Sequence, residues 1–234
     1  MTDYFILTKI KSNYVNNDHD NEIVHLKNKQ TFILPAINLD YYNKHGLFEK
    51  NLIEWCKQFC KKDKLFLDIG AHTGTYSISL ANLCKEVHAF EPQRMTYYGL
   101  CGSIVLSNIS NIQAHQYGLG CKEQEGIQTL NIVSLDGGGS SIQTLNNVLS
   151  TELVTIKLLD NLNLNDIGFI KMDVEDNELE VFKGARQTIK RCGYPKVIFE
   201  SNTYNSKLFN YLVSEFGYTI ININGYSNMF LATK

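Results

Sequence analysis

The chain has 234 residues, 44% of them hydrophobic and 20% charged, enough to bury one sizeable core. Its formal net charge of −2 offers no general attraction to a polyanion. No apolar run reaches the roughly 18 residues of a membrane span, and MTDYFILTKIKSNY lacks the basic-then-apolar pattern of a secretory signal, so a cytoplasmic protein without a membrane partner is expected.

Residues 1–45 read as an irregular N-terminal extension holding one or two strands, YFILTKI and TFILPAI. Lys9, Lys11, Lys27, Lys29, Lys61, Lys62 and Lys64 read as solvated surface more readily than as a converging basic patch. Residues 46–62 carry Leu47, Leu52, Ile53 and Phe59 at helical spacing. Cys56 and Cys60 fall on one face of that helix as a core stripe, and the six scattered cysteines read as reduced thiols.

From Leu65 onward, short apolar runs (LFLDI, EVHAFE, NIQAHQY, GFIKMD, KVIFE) alternate with helical stretches (TYSISLANLC, YGLCGSIVLS, NELEVFKGARQTIKRC). Runs apolar through most of their length are how strands buried on both faces of a parallel sheet read. The third helix has Asn177 as its expected cap with Glu180 three residues on, and Lys190, Arg191 and Gly193 at its far end. Residues 121–160 break the rhythm: polar, with DGGGSS, they read as an insertion of short strands and loops. Two strand-like runs around Asn224-Gly225 predict a closing antiparallel hairpin. The expected fold is α/β, a Rossmann-like sheet that is mostly parallel with a C-terminal antiparallel hairpin. Residues 46–234 would form the main domain.

In such sheets ligands sit outside the carboxyl ends of the strands. LFLDIGAHTGTYS places Asp68, Gly70 and Gly74 there as DxGxxxG. The glycines allow a close backbone approach, and the next helix offers free N–H groups. An acid at this point repels a pyrophosphate and suits a ligand with an ammonium group. HAFEP ends in Glu91, about 20 residues after Gly70, the distance at which an acid meets ribose hydroxyls in nucleotide-binding units. A ligand with both a ribose and an amino-acid end is S-adenosylmethionine.

FLDIGAHTG, AFEP, YGLG, FIKMDVEDNELEVFKGA and VIFE together resemble the FkbM family of class I S-adenosylmethionine-dependent methyltransferases, from roughly Gly46 to the C-terminus. The resemblance implies that Asp68, Gly70 and Gly74, with Ala71 in the same turn, line the methionine end of the cofactor. Glu91 would hold the ribose, and Pro92, Gln93 and Gly118 would border the adenine. One position departs from the family pattern: Asp176 stands where a glycine usually follows the V-E pair.

A hydroxyl acceptor benefits from a positioned base. Asp173 is the first candidate, Glu175 is either a base or an anchor for its loop, and His72 is a further candidate; His115 reads as structural. Glu200, Ser201 and Asn202 could hydrogen-bond a polyol. Ser140 and Ser141, after Gly137–Gly139, could fold over the acceptor, and Asp176 could alter its choice. No metal is assigned, although Asp173 and Asp136 are carboxylate candidates. The resemblance implies O-methyl transfer to a hydroxyl of a sugar, glycoconjugate or similar polyol. The rival readings are an RNA ribose 2′-O-methyltransferase, a nicotinamide-dependent oxidoreductase and a catalytically silent binding fold. Nothing favours a nucleic-acid partner, and a homo-oligomer is left open.

Overall fold

The computed structural model describes residues 5–9, 30–144, 146–202 and 205–234. Its elements run β1 (Phe5–Lys9), β2 (Thr31–Pro35), α1 (Leu39–His45), α2 (Lys50–Cys56), β3 (Leu65–Ile69), α3 (Thr75–Leu80), β4 (Glu86–Phe90), α4 (Arg94–Leu106) and β5 (Ile112–His115). Then come β6 (Gly118–Leu119), β7 (Gly126–Ile132), β8 (Ser150–Lys157), β9 (Ile167–Met172), α5 (Glu178–Gly184), α6 (Arg186–Arg191), β10 (Lys196–Glu200), α7 (Ser206–Tyr211), β11 (Thr219–Asn222) and β12 (Met229–Thr233).

Seven strands form the central sheet in the order β11-β12-β10-β9-β3-β4-β5. The pairs from β10 through β5 are parallel, and β12 runs antiparallel to both β10 and β11. The sheet is therefore mostly parallel with an antiparallel close, as expected. Alternate side chains feed two cores. Phe66, Val87, Phe169 and Ile198 pack on one face with Leu52, Ile53 and Ile78. Leu67, Ile69, Ile170, Met172, Val197 and Phe199 pack on the other with Val181, Phe182 and Ile189. Burial on both faces is why these strands are apolar without alternation.

The N-terminal part is less separate than its composition suggests. The β2 backbone lies along α4: Thr31 N–H donates to Ser107 Oγ and Ile33 N–H to Ser103 Oγ, both at 2.8 Å. Phe32 and Leu34 are fully buried in the first core. Lys11, Lys27 and Lys29 of the basic-patch reading lie outside the described residues.

Three local expectations change. The single helix over 177–192 is two, because the chain leaves helical geometry at Ala185 (φ −110, ψ 4). Just before it, Gly184 sits so close to the insertion that a Cβ there would lie 1.9 Å from the Gly120 carbonyl oxygen. Asn177 does not cap its helix; its Oδ1 accepts from Gln124 Nε2 at 2.8 Å and from Gln143 Nε2 at 3.1 Å, tying the insertion to the sheet instead. The hairpin at Asn224-Gly225 is longer than a two-residue turn, with β11 ending at Asn222 and β12 starting at Met229.

The polar insertion supplies β7 and β8, which form a three-stranded sheet, β6-β8-β7, with the preceding β6 and enclose a small core of Leu130, Val154 and Ile156. Among the described residues, no helix is long and apolar enough to cross a membrane.

Candidate functional site

The carboxyl ends of β3, β4 and β9 open onto a cleft, and the insertion forms its opposite wall. Ile69, Gly70, Phe90, Glu91, Pro92, Gln93, Asp173, Val174 and Glu175 line the sheet side. Gly118, Leu119, Leu130, Gly137, Ser140, Ser141, Ile142 and Ile156 line the other, mostly apolar, side. A cleft with an apolar end and a few converging polar groups is the usual form of a cofactor site.

The turn after β3 is shaped by contact with β9. Gly70 has φ +76, and a Cβ on it would lie 1.7 Å from the Asp173 carbonyl oxygen, so only glycine fits. The Gly70 and Ala71 N–H groups both donate to the Phe90 carbonyl, at 3.0 and 2.9 Å, which locks the turn against β4. Gly74 then leads into α3.

Glu91 is 7% exposed and faces this turn. Its Oε2 accepts from the His72 N–H at 2.8 Å and its Oε1 from the Gln93 N–H at 2.9 Å. Burial pushes its carboxyl up to about 7 against the pull of those two donors. The carboxylate is thus held rigidly at the cleft wall with acceptor capacity to spare.

Asp68 is placed differently from Glu91. It is fully buried beneath the turn and is absent from the cleft lining. Its Oδ2 accepts from the Ser77 N–H at 2.9 Å and the Ser77 hydroxyl at 2.5 Å, while Oδ1 has no hydrogen-bond partner among the described residues and lies 3.9 Å from Lys171 Nζ. Burial raises its pKa, opposed by Lys171 and Ser77. The acid of DxGxxxG therefore supports the turn from below.

His72, at φ +51, turns its ring away to the insertion, where Nε2–H donates to the Asp136 carbonyl at 2.7 Å. Burial lowers its pKa, so the ring is neutral and committed to that bond. Asp136 in turn accepts from Asn38 Nδ2 at 2.7 Å and Ser134 Oγ at 2.6 Å. His115 stacks on His88 at the sheet edge with their ring nitrogens 3.0 Å apart, and burial lowers it to about 4. Neither histidine lines the cleft.

Asp173 and Glu175 of the cleft lining and Glu200, which lies off it, each bring a carboxylate oxygen within 4.8 Å of the others. Glu175 also accepts from the Gly139 N–H at 2.8 Å, and its carbonyl accepts from Ser141 Oγ at 2.8 Å, so it clasps the Gly/Ser loop. Glu200 accepts from Asn228 Nδ2 at 2.7 Å and Asn202 Nδ2 at 3.0 Å. Burial, then the Asp173 carboxylate, pushes the Glu200 carboxyl well above the usual carboxylate range. Asp176 is exposed at φ +68 and lies off the cleft lining.

Sequence reasoning missed Lys171, Asn228 and the apolar wall of the insertion. Lys171 had a signal, because a lysine in the otherwise apolar strand GFIKMD must find a partner inside. Asn228 and the wall had none, since their places depend on how distant segments pack.

A family model for the methyltransferase FkbM domain matches residues 68–220. A curated relative, Methyltransferase 1 of Beauveria bassiana (strain ARSEF 2860), is 25% identical over 145 residues, covering 52% of this chain and 58% of its own. Among solved structures, the methyltransferase FkbM from Methylobacillus flagellatus KT superposes with a TM-score of 0.53 at 22% identity, over 74% of this chain and 44% of that one. A precorrin-6y C5,15-methyltransferase from Geobacter metallireducens GS-15 gives a TM-score of 0.50 at 14% identity, over 82% and 92%. The chain thus spans little more than half the length of the first relative and less than half of the first structure.

Proposed function

The chain belongs to the FkbM methyltransferase family, and on that premise we propose that it moves a methyl group from S-adenosylmethionine to a hydroxyl of a sugar, glycoconjugate or similar polyol. The observation that carries the reading is Glu91: a carboxylate fixed by two backbone N–H groups at the wall of a cleft, beside a turn where only glycine fits.

The residues present fit this cofactor. Ser140 Oγ is buried without a hydrogen-bond partner among the described residues and belongs to the cleft lining, so a bound ligand would satisfy it. Glu91 would take the ribose diol, and Leu119, Leu130, Ile142 and Ile156 offer apolar contact to an adenine. Bound there, the cofactor supplies an electrophilic methyl group on a sulfonium.

The chain's own part is to align the acceptor and take its proton. Asp173 lies in the cleft lining at the end of β9. The Asp173 carboxylate would take the proton of an acceptor hydroxyl held beside the methyl group that the cofactor would supply. Glu200, held by Asn202 and Asn228, and the half-buried Glu175 supply hydrogen bonds suited to neighbouring hydroxyls. Alignment of this kind lowers a barrier by about 7 kcal/mol or more in well-organised sites.

The test is calorimetric titration of the purified chain with S-adenosylmethionine and S-adenosylhomocysteine, followed by transfer of a radiolabelled methyl group to pools of sugars and of RNA. Label on sugars, reduced about 100-fold or more in Asp173→Asn with cofactor binding kept, is the expected result. Cofactor binding with label only on RNA, or on neither pool, overturns the acceptor reading. No binding of either cofactor form by folded protein overturns the cofactor reading as well.

A further inference from the structure

The register of the sheet puts Asp68 of β3 directly beside Lys171 of β9. Because side chains alternate along a strand, Lys171 shares a face with Phe169, whereas Ile170 and Met172 point into the opposite core. The lysine is 4% exposed. Its Nζ donates to the Gly70 carbonyl at 3.0 Å and to Asp173 Oδ2 at 3.4 Å, lies 3.9 Å from Asp68 Oδ1, and sits over the Tyr76 ring at 5.2 Å. The Tyr76 hydroxyl donates to Glu49 Oε2 at 2.8 Å, which adds a third acid to its surroundings.

A buried ammonium needs a partner for its charge, and Asp68 alone would satisfy that need. The other two contacts are the informative ones. One goes to the backbone of the glycine turn that borders the proposed cofactor, the other to the carboxylate proposed to face the acceptor. We propose that Lys171 is a positioning residue that joins the two halves of the site, holding the Gly70 carbonyl and the Asp173 carboxylate in one hydrogen-bonded unit with Asp68 as its counter-charge. The inference rests on the proposed cofactor for its binding readout, and its second readout is independent of that cofactor. Burial opposes the charge on Lys171, but Asp173, Asp68 and Glu49 outweigh it and hold the ammonium charged.

The experiment compares Lys171→Met, Asp68→Asn and the double variant by thermal unfolding and by calorimetric titration with S-adenosylhomocysteine. Lys171→Met strands the Asp68 charge, so it lowers the unfolding temperature and weakens binding. The double variant removes both charges and recovers the unfolding temperature. Its affinity stays down by roughly tenfold or more, the worth of a charge-assisted hydrogen bond. Wild-type affinity in the double variant overturns the proposal, since Lys171 would then be only the counter-ion of Asp68.

Hydrogen exchange on the cofactor-free protein decides the matter even if the double variant does not fold or the wild type binds no cofactor. Asp173→Ala changes a side chain at the cleft wall, yet it is expected to cost the amides of residues 70–74 part of their exchange protection, because the ammonium loses its contact with the Asp173 carboxylate. Unchanged protection at 70–74 overturns the proposal.

Discussion

Gly70 and Asp173 touch backbone to backbone: a Cβ on residue 70 would lie 1.7 Å from the Asp173 carbonyl oxygen, and the Asp173 N–H donates to the Ile69 carbonyl at 3.0 Å. The contact joins the end of β3 to the end of β9 at the floor of the cleft. Gly70→Ala must therefore push these strand ends apart while also forcing alanine to a φ of +76. A loss of about 1–3 kcal/mol from strain is expected, with more from the displaced backbone. Urea denaturation measures the loss, and unchanged stability would show that the turn yields freely.

The acid of the DxGxxxG motif should behave as a structural residue. Asp68→Ala removes both bonds to Ser77 and leaves the Lys171 ammonium without its buried neighbour. Breaking a buried pair from one side costs about 3–5 kcal/mol, so the chief effect is on unfolding free energy. A variant as stable as wild type, defective only in cofactor binding, would contradict this placement.

Glu91 gives a pH dependence of known sign. Its carboxyl is raised from an ordinary 4.5 to about 7 by burial. The folded chain keeps a proton there that the unfolded chain has released, so this group's contribution to stability is full below the unfolded value and is lost as pH rises through about 7. Ribose hydroxyls donating to Glu91 favour the ionised form. Cofactor affinity should therefore rise between about pH 6 and pH 8 by more in the wild type than in Glu91→Gln. Calorimetry at three pH values checks this, and parallel slopes would remove Glu91 from the ribose.

Ser140 offers a test of contact with the ligand. Its hydroxyl is buried and unpartnered among the described residues, a condition that costs about 1–3 kcal/mol. Ser140→Ala should leave the ligand-free protein as stable or more stable, yet reduce the rise in melting temperature produced by saturating S-adenosylhomocysteine. An equal rise in both proteins would show that the hydroxyl meets no part of the ligand.

Asp176 occupies the left-handed region at φ +68 on the exposed side of its turn. Glycine there relieves backbone strain but adds freedom to the unfolded chain, and aspartate tolerates this region better than most residues. Asp176→Gly is expected to change stability by less than about 1 kcal/mol and to leave cofactor affinity alone. A larger change in affinity, read by calorimetry, would mean that the side chain reaches the cleft.

Strand periodicity, the DxGxxxG turn, the acid ending HAFEP and the long IKMDVED string were all legible along the chain, because each is a local pattern. A strand buried on both faces must be apolar, and a backbone that abuts another backbone must be glycine. The sequence by itself thus determined the sheet, its carboxyl-end cleft and the position of Glu91. Only the tertiary structure decided which way each polar side chain works. Asp68 and Glu91 both stand at strand ends, but one pairs with a lysine from β9 under the turn and the other faces the cleft. His72 sits in the glycine turn after β3 and spends its ring on the insertion. Asn177 looks like a cap and instead holds Gln124 and Gln143. Lys171 and Gly70 meet across 101 residues of chain. The strength of a charge or hydrogen bond depends on burial and on its partners. Both are set by segments far apart in sequence, which come together only when the sheet and the insertion have closed.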